Sequence, residues 1–349
     1  MRRGLSAGLL LALGLITWWR QPLPPANHDS TLRLVPIALP APGTIAPLLG
    51  PLSLQAIWQI KSRNSLFSGY SGLVPLADGA FLAVSDRTGT MRFRPPGALR
   101  QRARFARVQF TSKPSRDVDA EAATRDPASG AIWIATESSN AVARFDSRLQ
   151  RQTRVWPEAM KGWNQDRGPE AMTRLPDGRF LILAEGTDGL VERRRHQGLL
   201  FPRDPTLGDA PLRFAFLAPA TELPTDMAAL PDGRVLLLLR RINAAGFSAR
   251  IMVGDPAEIR ADGTWRALTV AILAAPIPRD NFEAMTVTPA AEGKLTLWVM
   301  SDDNGALFQR TLLLKLALDP AKLPRRKKAR ESLARPPVTS QEAARRPGP

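Results

Sequence analysis

Residues 170–185 read EAMTRLPDGRFLILAE. A carboxylate opens the stretch, followed by a small residue and a few strand-forming positions. Next comes Pro176-Asp177-Gly178, in which Pro presets φ, Asp caps and Gly accepts a positive φ: the chemistry of a tight hairpin turn. The segment after the turn, RFLILAE, is almost unbroken apolar sequence until Glu185 closes it. Such a strand must be covered on both faces, as in a sheet packed between neighbouring sheets.

The same grammar recurs on either side. It appears as SGLVPLADGAFLAVSD (71–86), EAATRDPASGAIWIATE (121–137), DMAALPDGRVLLLLRR (226–241) and EAMTVTPAAEGKLTLWVMSDD (283–303). The five starts fall 50, 49, 56 and 57 residues apart. A period of roughly 40–50 residues with about four strands per unit is the signature of a β-propeller. Further strands fill the intervals: NAVARFD (140–146) and QTRVWP (152–157), PLRFAFLAP (211–219), and TWRALTVAIL (264–273). Helical periodicity is scarce, which excludes an α-solenoid. The fold class is therefore all-β, a propeller of five blades; a sixth stays open if one unit is degenerate. After the fifth hairpin one clear strand remains, TLLLKLALD (311–319), and before the first there is a spare, LSLQAIWQIKS (52–62). If the N-terminal strand completes the last blade, the ring closes without a long exposed edge.

Closure gives the repeated charges a common address. The first strand of each unit lines the channel, and the second returns to the same face. The residues opening strand one and closing strand two thus meet at one mouth. These pairs are Ser71 with Asp86, Glu121 with Glu137, Glu170 with Glu185, Asp226 with Arg240, and Glu283 with Asp302. Crowded carboxylates resist ionisation unless a cation sits among them. A hard cation with oxygen ligands, calcium first, answers that need. Asp303 and Asn304 add oxygen donors, and Arg87, Arg240 and Arg241 offer bidentate contacts to a phosphate or carboxylate. Taken singly, a strand-opening acid can instead be a clamp on backbone amides of the next blade. Arg144 reads as an inter-blade ion pair, and Trp133 and Trp298 as core.

Composition removes several function classes. Cysteine is absent, so there is no disulfide framework, thiol nucleophile or zinc–cysteine site. The only histidines are His28 and His196, and GYSGL (69–73) misses the G-x-S-x-G spacing. Of the net charge of +16, the last 29 residues carry +7 and the first 20 carry +3. The charge therefore lies mainly at the ends, and no nucleic-acid-binding motif accompanies it. MRR and the apolar run GLSAGLLLALGLITWW (4–19) read as a signal peptide or uncleaved membrane anchor over 1–20. Residues 21–50, with seven prolines, read as a linker, 51–320 as the propeller, and 321–349 as a basic, disordered tail.

The five segments, in this order and across roughly residues 50–320, resemble the phytase-like propeller family with esterase-like activity. The resemblance rests on SGLVPLADGAFLAVSDR, DAEAATRDPASGAIWIATE, GPEAMTRLPDGRFLILAEG, PTDMAALPDGRVLLLLRR and NFEAMTV…WVMSDDN. It implies a secreted or periplasmic propeller with an acidic site. The matching positions are Asp86, Arg87, Asp119, Glu121, Glu137, Glu170, Glu185, Asp226, Arg240, Glu283, Asp302 and Asn304. Where other units have an acid the first has Ser71, and the dense lysines suited to a heavily phosphorylated inositol are missing. The expected function is metal-assisted hydrolysis of a small phosphoester or carboxylic ester by a monomer that binds no nucleic acid. Asp86, Asp119, Glu137, Glu185, Asp226, Glu283 and Asp302 are the expected ligands of Ca2+. Glu170 or Glu121 is the expected general base; Arg87 and Arg240 would stabilise negative charge; Arg241 and Asn304 would hold substrate. The alternatives are a non-catalytic envelope propeller that binds a protein or glycan, and a propeller lactonase.

Overall fold

The computed structural model describes residues 25–110, 118–187, 193–219, 222–243 and 246–326. It is a β-propeller of five blades, each built on antiparallel strands. Blade one contains β3 (Tyr70–Pro75), β4 (Phe81–Ser85), β5 (Gly89–Phe93) and β7 (Arg104–Arg107). Blade two contains β8 (Ala120–Arg125), β9 (Ile132–Thr136), β10 (Ala141–Phe145) and β11 (Thr153–Val155). Blade three contains β12 (Pro169–Arg174), β13 (Phe180–Thr187), β14 (Arg195–Phe201) and β15 (Leu212–Leu217), with the two-residue β19 (Thr264–Trp265) along its outer side. Blade four contains β16 (Leu223–Ala229), β17 (Val235–Asn243), β18 (Gly246–Gly254) and β20 (Leu268–Leu273).

Blade five closes the ring. Its chain-terminal strands β21 (Asn281–Pro289), β22 (Leu295–Asp302) and β23 (Leu312–Leu318) are continued by β2 (Ser53–Lys61), β1 (Thr31–Ile37) and β6 (Arg100–Arg102). β2 lies antiparallel on β23, with Ser53 opposite Ala317 and Gln59 opposite Leu312. This is the closure expected from LSLQAIWQIKS.

Residues 31–49 belong to the fold and are not the linker that their prolines suggested. Leu32 and Leu34 of β1 are buried, as are Ile45 and Leu49 of the short helix α1 (Pro42–Leu49). The prolines fit because Pro42 sits in the first helical turn, and Pro36 lies on β1 beyond the Thr31–Arg33 stretch that pairs with β6. At the other end Leu323 is still buried, so the folded region runs past 320. The leader over 1–20 and the tail from 327 onward lie outside the described residues. Among the described residues no helix is long and apolar enough to cross a membrane.

The apolar runs do what their composition demands. β4, β9 and β22 are buried at every position. Five apolar clusters form, one between each pair of neighbouring blades, and the cluster joining Tyr70, Phe81 and Met91 of blade one to Trp298 and Leu313 of blade five seals the circle. Trp133 and Trp298 are core residues, and Arg144 bridges to Asp204 of the next blade at 3.3 Å. The Pro-Asp-Gly turns also take the expected form: Gly178 N donates to Leu175 O at 3.0 Å with φ 92°, and Gly233 repeats this on Leu230 with φ 86°.

Candidate functional site

The first strands of the blades touch one another in the order β3, β8, β12, β16, β21 and back to β3, so they surround the channel. Each of the five carries a β-bulge against its second strand. The register skips one residue in every blade: Ser71, Glu121, Glu170, Thr225 and Glu283. A bulge releases the extra residue from the ladder and re-aims its side chain. The companion residues stand within, at or just beyond the end of each second strand: Asp86, Glu137, Glu185, Arg240 and Asp302.

The structure brings most of the expected residues together. The carboxylate oxygens of Asp119, Glu121 and Glu137 lie within 4.8 Å of one another. Glu121 feels the charges of Glu170, Asp119 and Glu283, and Asp302 those of Glu283 and Asp86, so the acids of blades one, two, three and five share one electrostatic site. Burial, reinforced by these neighbours, pushes Glu121, Glu170 and Asp302 well above the usual carboxylate range. Burial raises Asp86 to about 6, against the pull of Arg87, and Glu137 to about 8, with Asp119 and Glu185 adding to it. Local design supports the crowding. A Cβ on Gly69 (φ 70°) would meet Asp86 Oδ1 at 2.1 Å, so only glycine permits the approach of that carboxylate. Glu137 Oε1 accepts from Gly168 N at 3.1 Å.

Four expected residues behave otherwise. Asp226 stands one place after the bulge, where blades two and three have alanine, and it does not face the acidic ring. Its Oδ1 accepts from Met227 N at 2.7 Å and its Oδ2 from Met285 N of blade five at 2.6 Å, which makes it a buried clamp between first strands. The ring position in that blade belongs to Thr225, whose Oγ1 donates to Leu238 O and Phe282 O, both at 3.3 Å. Arg240 lies in the site, but its guanidinium is already taken. Nη2 contacts Glu185 Oε1 at 2.8 Å, and Nη1 contacts Glu283 Oε1 and, at 3.0 Å, Asn281 Oδ1. Burial would lower its pKa, yet Glu283, Glu170 and Glu185 together hold it above its ordinary value. It is an internal counter-ion, not a clamp for substrate. Arg241, the next residue along β17, is exposed on the strand's other side. The Asn304 amide donates to Gln309 Oε1 at 2.7 Å, away from the ring, while its backbone N–H caps Asp302 at 2.7 Å.

Sequence reading also missed Asn281, which braces Glu283 Oε1 at 2.8 Å while accepting from Arg240. A usable signal for the ring existed. In four units the bulge residue precedes the turn's first residue (Ala77, Pro127, Pro176, Pro231) by six positions, and in the fifth it precedes Pro289, the last residue of β21, by six. Counting back from Pro231 reaches Thr225, not Asp226.

A cation fits this donor set. Three carboxylates converge, and oxygen ligands from acids are the chemistry of a hard divalent ion. The hydroxyl of Ser71, only 2% exposed and on the ring between the blades of Glu121 and Glu283, has no hydrogen-bond partner.

Comparison with known proteins supplies one family match. The profile of a family described as Phytase-like, esterase-like activity of phytase, matches residues 65–305. Searching curated proteins gave no match. Among solved structures, the chain is similar to virginiamycin B lyase from Staphylococcus aureus at 14% identity, TM-score 0.37, covering 74% of this chain and 70% of that one. It is also similar to the PQQ-bound aldose sugar dehydrogenase of Streptomyces coelicolor at 12% identity, TM-score 0.41, covering 78% and 99%.

Proposed function

Because this chain belongs to the phytase-like family, whose profile spans 65–305, we propose that it is a cation-assisted hydrolase of a phosphoester or carboxylic ester, working at the acidic mouth of the channel. The observation that carries this reading is the convergence of Asp119, Glu121 and Glu137 within 4.8 Å. These three would hold Ca2+, which when bound supplies Lewis acidity toward an ester oxygen and offsets the mutual repulsion of the acids. Assigning Glu121 to that set leaves Glu170 as the general base. Its neighbour Arg240 is locked by Glu185 and Glu283 and supplies a fixed positive charge. In the hydrolytic step, water oxygen bonds to the carbonyl carbon or phosphorus while Glu170 takes the water proton. The ester C–O or P–O bond then breaks, and Glu170 passes the proton it took to the departing alkoxide, giving the alcohol and restoring the carboxylate. Among the described residues Arg87 has no ion pair beyond its attraction to Asp86, and its side chain would face the developing negative charge. An extracytoplasmic location goes with this reading, supported by the apolar run 4–19.

The test is turnover of p-nitrophenyl acetate and p-nitrophenyl phosphate by the full chain, in chelator and then with calcium restored. Loss and recovery are expected, and Glu137→Gln should blunt the recovery. Full turnover in chelator would overturn the cation role. Calcium raising the melting temperature with no turnover on either ester would leave a binding propeller instead.

A further inference from the structure

A cavity of about 400 Å³ opens between blades five and one, beside the acidic mouth. Two short segments connect them: Ser85–Asp86–Arg87 and Asp302–Asp303 each have one member in the acidic site and another on the cavity wall. The cavity has the opposite charge. Lys61, Arg87, Arg107 and Arg310 line it, against Asp303 alone. Arg310 is engaged by Asp280 at 3.2 Å. The Asp303 carboxylate is saturated by Ser68 Oγ, Gly69 N, Gly305 N and Thr311 Oγ1, so it neutralises none of the other cations directly. Arg107 spends one N–H on the Arg87 carbonyl at 3.1 Å. Lys61, Arg87 and Arg107 make no ion pair among the described residues. The Arg87 guanidinium is positioned over Gly305, where a Cβ would come within 3.4 Å of Nη2, at the boundary between the two sites. The wall also carries apolar side chains (Leu66, Phe67, Leu307), and Leu307 is 56% exposed.

We propose that this cavity is the subsite for an oxyanion of the substrate, a phosphoryl or carboxylate group held by Arg87, Arg107 and Lys61, and that the substrate is therefore an anionic ester with an apolar body. The inference rests on the hydrolase reading for the word substrate, but the anion site stands on the cavity itself. An anion reaching a mouth walled by carboxylates is repelled, whereas three cations that make no salt bridge among the described residues focus an attractive field at its edge. Guanidiniums also match an oxyanion with paired N–H donors.

Two measurements on the full chain separate the ideas. The first is calorimetric titration of inorganic phosphate in chelator, which involves no hydrolysis. Saturable binding is expected, weakened about tenfold by the double variant Lys61→Gln/Arg107→Gln and by salt that screens exposed charge. The second compares kcat/KM in calcium for mono-p-nitrophenyl succinate and p-nitrophenyl acetate. The ratio of charged to neutral ester should exceed one and fall about tenfold in the double variant. Absence of saturable phosphate binding by the native chain, or a ratio unchanged by the double variant, overturns the subsite. Phosphate binding without turnover of either ester supports the anion site and defeats the hydrolase reading instead.

Discussion

Glu170→Gln preserves the shape of the side chain and removes its capacity to accept a proton. If Glu170 is the base, kcat should fall by about 10²–10⁴ while calcium binding through Asp119, Glu121 and Glu137 persists. Steady-state kinetics beside a calcium titration checks this, and a variant with native kcat would move the role elsewhere. Asp226→Ala has a different expected effect. It strips two backbone N–H groups, Met227 and Met285, of their buried acceptor, at a cost of about 1–3 kcal/mol each. Chemical denaturation should show that loss, with calcium binding retained. The two acids are hard to tell apart in sequence because each sits before a similar strand. One residue of register separates them, and side-chain direction reverses with every residue along a strand. The bulge that fixes the register depends on pairing between strands, which no single segment displays. The sequence shows the charge of Arg240 but not its two carboxylate partners, since Glu185 and Glu283 come from different blades.

The hairpins were legible because their causes are local: Pro, Asp and Gly at fixed offsets, then an apolar run. The segment 31–49 was not, since proline count outweighed the alternation of Leu32 and Leu34 in TLRLVPI, whose meaning depends on a sheet assembled from the far end of the chain. This element can be tested directly. A chain that starts at residue 50 loses β1 and α1 and four buried apolar side chains, each contributing about 1.5–3 kcal/mol when fully buried, so its melting temperature should drop sharply. A chain that starts at residue 63 also loses β2 and leaves β23 as a long apolar edge; it should be recovered mainly as aggregate. Equal soluble yield and cooperative melting for both would contradict the closure seen here.

At the scale of the molecule, the ring was readable from the repeat alone, while the cavity between blades five and one was not, because its walls come from the two ends of the repeat. The assembled acids also give the protein an unusual response to pH. Asp86 and Glu137 titrate at about 6 and 8 in the folded chain, above their ordinary values of 3.8 and 4.5. Between those limits the folded state keeps protons that the unfolded state has shed, so in chelator stability should fall as pH rises from about 4.5 to about 8. A bound calcium ion would compete with those protons, so any stabilisation by calcium should grow over the same interval. Melting curves at the two ends of that range, with and without calcium, decide the matter; greater stability in chelator at the alkaline end would contradict it.

The seam between β2 and β23 also orders events in time. Ser53 leaves the ribosome more than 250 residues before its partner Ala317, and until that partner arrives the early strand can pair with β1 but not with the rest of blade five. The last joint of the ring therefore forms only after the strand Leu312–Leu318 has been made.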